Sequence, residues 1–134
     1  MITVLELNDA LLKQLITYVD LHAPLEACGL LAGQAARAEK MIGVLNQAQS
    51  PVRFVMDPRE QLHAFDWIES HGLDLVGIFH SHPNGPETAS ATDIAEAAYA
   101  VVHVILSRTD GDWKAHGFWI ADGSAHEVTL QIIE

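Results

Sequence analysis

The chain has 134 residues, 49% hydrophobic and 19% charged, the composition of one ordinary globular domain and not of a disordered chain. Seven Lys and Arg face eighteen Asp and Glu, a formal net charge of -11 that argues against a nucleic-acid partner. One cysteine, Cys28, rules out a disulfide framework, and no stretch approaches the roughly 20 apolar residues of a membrane helix.

Met1 to Leu7 lacks a basic segment and a long apolar run, so no signal peptide is expected and the expected location is the cytoplasm. Leu11, Leu12, Leu15, Ile16 and Val19 recur at helical spacing behind a capping Asn8. That helix should stop near Ala23-Pro24. Cys28 to Ala32 suits a buried strand, and Cys28 within it reads as a small core residue. Lys40 to Leu45 and Val52 to Met56 read as two more strands, broken by Ser50-Pro51. Asp57-Pro58-Arg59-Glu60 starts a second helix, with Asp57 as cap and Glu60 placed to reach back in a capping box. Leu75 to Phe79 should be a central strand covered on both faces, and it leads directly into His80. Pro83 to Pro86 is a loop, and a helix is expected from about Ser90 to Tyr99. Val101 to Ser107, Trp113 to Ile120 and His126 to Ile133 should form an antiparallel meander, separated by the turns at Thr109-Asp110-Gly111-Asp112 and Asp122-Gly123. The fold class is α/β, a mixed sheet flanked by helices in a single domain over 1–134. The meander leaves an edge on which a second copy could pair as a homodimer.

The chemistry concentrates at His80-Ser81-His82 and Ser90-Ala91-Thr92-Asp93. Alternate strand residues share a face, so His80 and His82 can aim at one point while Ser81 points away. Asp93, in the first turn of the next helix, can face back toward that point. Two imidazoles and a carboxylate could hold one Zn2+ and leave its fourth position open, the mark of a catalytic zinc site. Each piece also has a plain reading: two surface histidines, and a Ser-x-x-Asp capping box. Their succession along the chain favours the metal, and zinc is expected to win Asp93 from the cap. A hydrolytic zinc site needs a general base. Glu26, at the mouth of an apolar strand, is preferred over Glu87 and Glu96. A second zinc at His103, His116 and His126 is disfavoured, because these residues fall on different strands.

The spacing His80-x-His82, seven residues, Ser90, two residues, Asp93 resembles the signature of the JAMM metalloproteases, also called the MPN+ or Mov34/PAD-1 group. Pro24-Leu25-Glu26-Ala27-Cys28-Gly29-Leu30-Leu31-Ala32-Gly33 resembles that family's other motif, and Asn46 through Phe54 and Asp57-Pro58 resembles its small prokaryotic members. The resemblance covers nearly the whole chain. It implies a cytidine-deaminase-like α/β fold, His80, His82 and Asp93 as zinc ligands, Glu26 as general acid/base, and Ser90 as oxyanion stabiliser. It implies cleavage of an amide after the Gly-Gly tail of a ubiquitin-like or sulfur-carrier protein. Deamination itself does not fit, since its signature needs a Pro-Cys-x-x-Cys. The chain lacks the insertions with which eukaryotic deubiquitinases clamp ubiquitin, and is most similar to the subgroup that includes the CysO-cysteine peptidase. His80 to Gly85 also resembles the RadC-like group linked to DNA metabolism, and some MPN relatives are inactive scaffolds. The -11 charge speaks against the first, and the full ligand set against the second.

Overall fold

The computed structural model describes residues 1–134. In chain order the elements are β1 (Val4–Asn8), α1 (Asp9–His22), β2 (Cys28–Gln34), β3 (Arg37–Val44), α2 (Pro58–Ser70), β4 (Asp74–His82), α3 (Ala91–Glu96), β5 (Val101–Thr109), β6 (Asp112–Ala121) and β7 (Ser124–Ile133). The strand order is β1-β3-β2-β4-β5-β6-β7, and the mixed sheet closes on itself. β2 runs antiparallel to β3 and β4, β4 parallel to β5, and β5 to β7 form the expected meander.

Strand alternation divides the core into two faces. Leu5, Leu7, Leu31, Phe79, Val104 and Leu106 join Leu11, Leu15 and Val19 of α1 in the largest cluster. Leu30, Val44 and Ile78 pack under Ala64 and Ile68 of α2. Ile105, Phe118 and Ile120 pack under Ile94 near α3. Phe79 therefore faces α1, while its neighbour Ile78 faces α2. His80 and His82 share the parity of Ile78, so they lie on the α2/α3 side. Ser81 shares the parity of Phe79.

The structure departs from the sequence reading at several points. Val4–Asn8 is a strand, with Leu5 and Leu7 fully buried. It pairs in parallel with β7 from Val4↔Thr129 to Asn8↔Ile133, so the outer edge of the meander is already occupied. A second copy cannot pair there. Val52 to Met56 is not a strand, and only an isolated Asn46↔Met56 bridge remains. The Asn46 side chain explains this. Its amide donates to the Arg53 carbonyl at 3.0 Å, and its oxygen accepts from the Ala48 and Val55 amides at 3.0 Å each. A side chain that takes local backbone groups competes with a strand ladder. Glu60 does not reach back to its own cap; its Oε1 accepts from the Leu45 amide at 2.8 Å and ties α2 to the end of β3. α3 stops at Glu96, three residues short of Tyr99. The chain then turns into β5, with the Val101 amide donating to the Tyr99 carbonyl.

Gly29 is required by close approach. A Cβ there would stand 2.3 Å from the Ile42 carbonyl oxygen and 2.5 Å from the Phe79 ring. Overpacking of this kind costs about 1–3 kcal/mol. Gly29→Ala is expected to lower the unfolding free energy by that amount, seen in equilibrium urea denaturation as a lower midpoint with the m-value unchanged.

Candidate metal centre

The site lies at the C-terminal end of β4, where the sheet is most deeply covered. His80 is fully buried, His82 is 4% exposed and Asp93 9%. The Nε2 atoms of the two histidines lie 3.2 Å apart, and each lies 3.1 Å from Asp93 Oδ2. The three donor atoms thus form a nearly equilateral triangle. A tetrahedral ion with ligand bonds of about 2.0–2.1 Å separates its ligand atoms by about 3.3 Å. The triangle fits such an ion with little adjustment, and the N, N, O donor set suits zinc.

Each ligand is held from outside the triangle. His82 Nδ1 donates to the Pro86 carbonyl at 2.8 Å, which fixes the tautomer and leaves Nε2 with its lone pair inward. The Phe54 ring stacks on His80 with centroids 4.5 Å apart. Asp93 is fixed by the first turn of α3. Its amide donates to Ser90 Oγ at 3.0 Å, and the Ser90 amide donates to Asp93 Oδ2 at 2.9 Å. The cap is intact while Asp93 Oδ2 stands 3.1 Å from both imidazoles. One carboxylate oxygen accepts the cap bond and still faces both imidazoles.

Electrostatics follow from burial and these contacts. Burial works to raise the Asp93 pKa, but the hydrogen bonds with His80 and His82 and their charges outweigh it and hold the carboxyl well below the usual carboxylate range. Desolvation pushes His80 down. It also acts on His82, where the Asp93 carboxylate and the Pro86 carbonyl overcome it and raise the pKa.

Glu26 stands beside this triangle. Its carboxylate and the ring nitrogens of His80 and His82 lie within 4.8 Å of one another. It is 4% exposed, and Oε1 has no hydrogen-bond partner. Burial drives its pKa up to about 7, with His82 pulling down and Asp93 pushing up. Its position is set by backbone contacts. The Ser81 amide donates to the Ala27 carbonyl at 3.0 Å, and Ser81 Oγ accepts from the Ala27 amide at 2.8 Å. The Asn46 amide donates to the Glu26 carbonyl at 2.9 Å, and the Glu26 amide donates to the Ser50 carbonyl. Ser81 does point away from the metal face, and there it clamps the segment that carries Glu26. The Asn46 role was signalled only by an Asn ahead of a Ser-Pro break.

All five predicted site residues are therefore brought together: Glu26, His80, His82, Ser90 and Asp93. Ser90 Oγ accepts from the Asp93 amide, which leaves the hydroxyl proton free to donate. His103, His116 and His126 do not converge. His103 is buried on β5, His116 Nε2 lies 3.8 Å from Glu87, and His126 contacts Ser124. Cys28 is buried with its thiol pushed up to about 12 by burial and by Glu26 and Glu60, as expected of a core residue.

The profile of the prokaryotic homologs of the JAB domain matches residues 8–120, which span every residue of this site. The chain belongs to this Prok-JAB family. It is 36% identical over 131 residues to a probable TtuB-protein conjugate cleaving protease of Thermus thermophilus, covering 97% of this chain and 84% of that one. It is 38% identical over 95 residues to a desampylase of Pyrococcus furiosus, covering 71% and 66%. It is 29% identical over 135 residues to the CysO-cysteine peptidase of Mycobacterium tuberculosis, covering 98% and 92%. A solution structure from Desulfitobacterium hafniense superposes with a TM-score of 0.88 at 30% identity, over 97% of this chain and 93% of that one. A JAB1/MPN domain protein of Archaeoglobus fulgidus superposes at 0.63 and 22% identity, over 97% and 100%, which establishes the shared JAB1/MPN fold. In this Prok-JAB chain no helix is long and apolar enough to cross a membrane.

The buried Glu26 carboxyl makes the metal-free protein sensitive to pH. Its folded pKa of about 7 lies above the ordinary 4.5. A raised pKa contributes stability below about 4.5, and that contribution is lost as pH rises through about 7. Glu26→Gln stays neutral throughout. The metal-free variant is expected to exceed its parent in stability by about 2–3 kcal/mol at pH 8 and to match it below pH 4.5. Urea denaturation at the two pH values reads the difference.

Proposed function

We propose that this Prok-JAB protein is a zinc metallopeptidase that hydrolyses an amide bond after the C-terminal Gly-Gly tail of a ubiquitin-like or sulfur-carrier protein. The observation that carries this reading is the closed triangle of His80, His82 and Asp93 with the near-neutral Glu26 carboxyl beside it. A zinc ion held by the triangle supplies Lewis acidity toward a water molecule and toward the scissile carbonyl.

The protein's own residues do the rest. Glu26 takes the proton of the attacking water, which adds to the carbonyl carbon. The Ser90 hydroxyl donates to the oxygen that becomes negative and stabilises its charge. Glu26 then passes its proton to the leaving amine as the C–N bond breaks, giving a carboxylate and an amine. A base with a pKa near the working pH can both take and return a proton. The burial that lifts Glu26 toward 7 provides this, and a dication beside it draws the value lower.

The relatives support the substrate class, since the names of those compared refer to TtuB conjugates, desampylation and CysO-cysteine. The expected compartment is the cytoplasm.

Glu26→Ala should lower kcat for a Gly-Gly-tailed conjugate by at least a thousandfold while leaving about one zinc per chain. Asp93→Ala should lose both zinc and activity. Mass spectrometry of the products and metal analysis of the same preparations check both. Survival of activity in Glu26→Ala would remove Glu26 from the chemistry. The rate of the parent should fall as pH drops through the Glu26 pKa, on a limb below about 7.

A further inference from the structure

Two buried polar side chains outside the site, Ser107 and His103, have no hydrogen-bond partner, and His103 is the one beside the site. His103 is 3% exposed, and neither ring nitrogen has a hydrogen-bond partner. β4 and β5 pair in parallel with Ile78 opposite His103 and His80 opposite Ile105. His103 therefore faces the same side as His80 and His82, one strand over and one step earlier. Its ring lies 6.4 Å from the His80 ring, edge to face.

His103 is one of the residues lining a cavity of about 210 Å³, with both ring nitrogens covered, so a hydrogen bond from the cavity needs the ring to turn toward it. Phe54, Ile78, Thr92, Asp93, Tyr99 and His103 line it. Two of these belong also to the metal centre: Phe54 stacks on His80, and Asp93 is a corner of the triangle. The cavity is thus a side chamber of the cleft and not a flaw in the distant core. Its walls are mostly apolar, with the imidazole set among them.

An unpaired buried imidazole is costly, and a leucine at the same place would avoid that cost. Burial pushes the His103 pKa down to about 4, so at neutral pH the ring carries one donor and one acceptor. Asp93 and Glu96 line the cavity as well, and the whole chain is acidic, so an anionic group is disfavoured. The fitting occupant has an apolar body and a hydroxyl, amide or amine at its end.

We propose that this chamber is a pocket for the substrate side chain nearest the scissile amide, either the one before the Gly-Gly pair or the one on the leaving-amine side, and that His103 hydrogen-bonds the end of that side chain. The proposal rests on the amide-cleavage reading above and adds a specificity element to it. His103 touches none of the reacting atoms. The residue it reads comes either from the carrier tail or from the leaving-amine side, and each source gives the same chemistry in the pocket.

Two peptide series separate the sources. One places glutamine or its apolar counterpart norleucine immediately before the Gly-Gly pair. The other places the same two residues on the leaving-amine side. The zinc-loaded parent is expected to prefer glutamine about tenfold in kcat/KM at one of the two positions. In His103→Leu that preference collapses to within twofold, with zinc content unaltered. His103→Gln, which retains a donor and an acceptor, keeps most of it. No preference in the parent, an unchanged preference in His103→Leu, or an equal loss on both peptides would each overturn the pocket. A second readout needs no turnover. In ¹⁵N NMR of the metal-free protein, the His103 ring nitrogens should shift on titration with the preferred glutamine peptide and not with its norleucine partner. A shift without any cleavage by the zinc-loaded parent would sustain the pocket and sink the peptidase reading. Cleavage without a shift would do the reverse.

Discussion

Three electron-rich atoms held within 3.2 Å of one another, in a place that water hardly reaches, are the constraint around which this fold is arranged. Two imidazole nitrogens and a carboxylate oxygen repel at that distance unless a proton or a metal ion lies between them. The protein opposes the repulsion with structure. The parallel β4/β5 pairing holds the strand that carries both histidines. The Pro86 carbonyl and the Phe54 ring fix the imidazoles. The reciprocal Ser90–Asp93 bonds fix the carboxylate. Binding energy for a metal is thereby preorganised in the chain, which reduces what the ion must spend on ordering its ligands.

The same strand performs a second task with the residue between the ligands. Ser81 points to the opposite face and bonds the backbone at Ala27 through both its amide and its hydroxyl. Asn46 holds the Glu26 carbonyl from the other side and shapes the loop that carries Phe54. Glu26, the ring over His80 and the strand that carries both histidines are therefore linked through two small polar side chains. Fixed relative position matters here, because a proton acceptor displaced by an ångström loses much of its effect.

Much of this was legible in the residue pattern. Period-2 alternation placed both histidines on one face, and the Ser-x-x-Asp spacing placed Asp93 in a first helical turn. The meander of β5 to β7 followed from its turn residues. What could not be read were the contacts made between segments far apart in sequence. Val4–Asn8 is too short to stand out as a strand until β7 pairs with it. Val52 to Met56 has strand-like residues, but the Asn46 side chain claims its backbone groups first. The reach of Glu60 to Leu45 depends on where β3 ends, which no local pattern states. That Asp93 Oδ2 accepts the cap bond and still faces both imidazoles is a matter of direction in space, which spacing alone does not state.

In the proposed site, His80, His82 and Asp93 hold one zinc while Glu26 stays beside it as a base. The alternative grouping of Glu26 with the two histidines is close enough in space to compete. A crystal structure of the zinc-loaded protein, with anomalous density measured at the zinc edge, distinguishes them. One ion is expected about 2.0–2.2 Å from His80 Nε2, His82 Nε2 and Asp93 Oδ2, with Glu26 outside bonding distance. An ion bonded to Glu26 in place of Asp93 would contradict this arrangement.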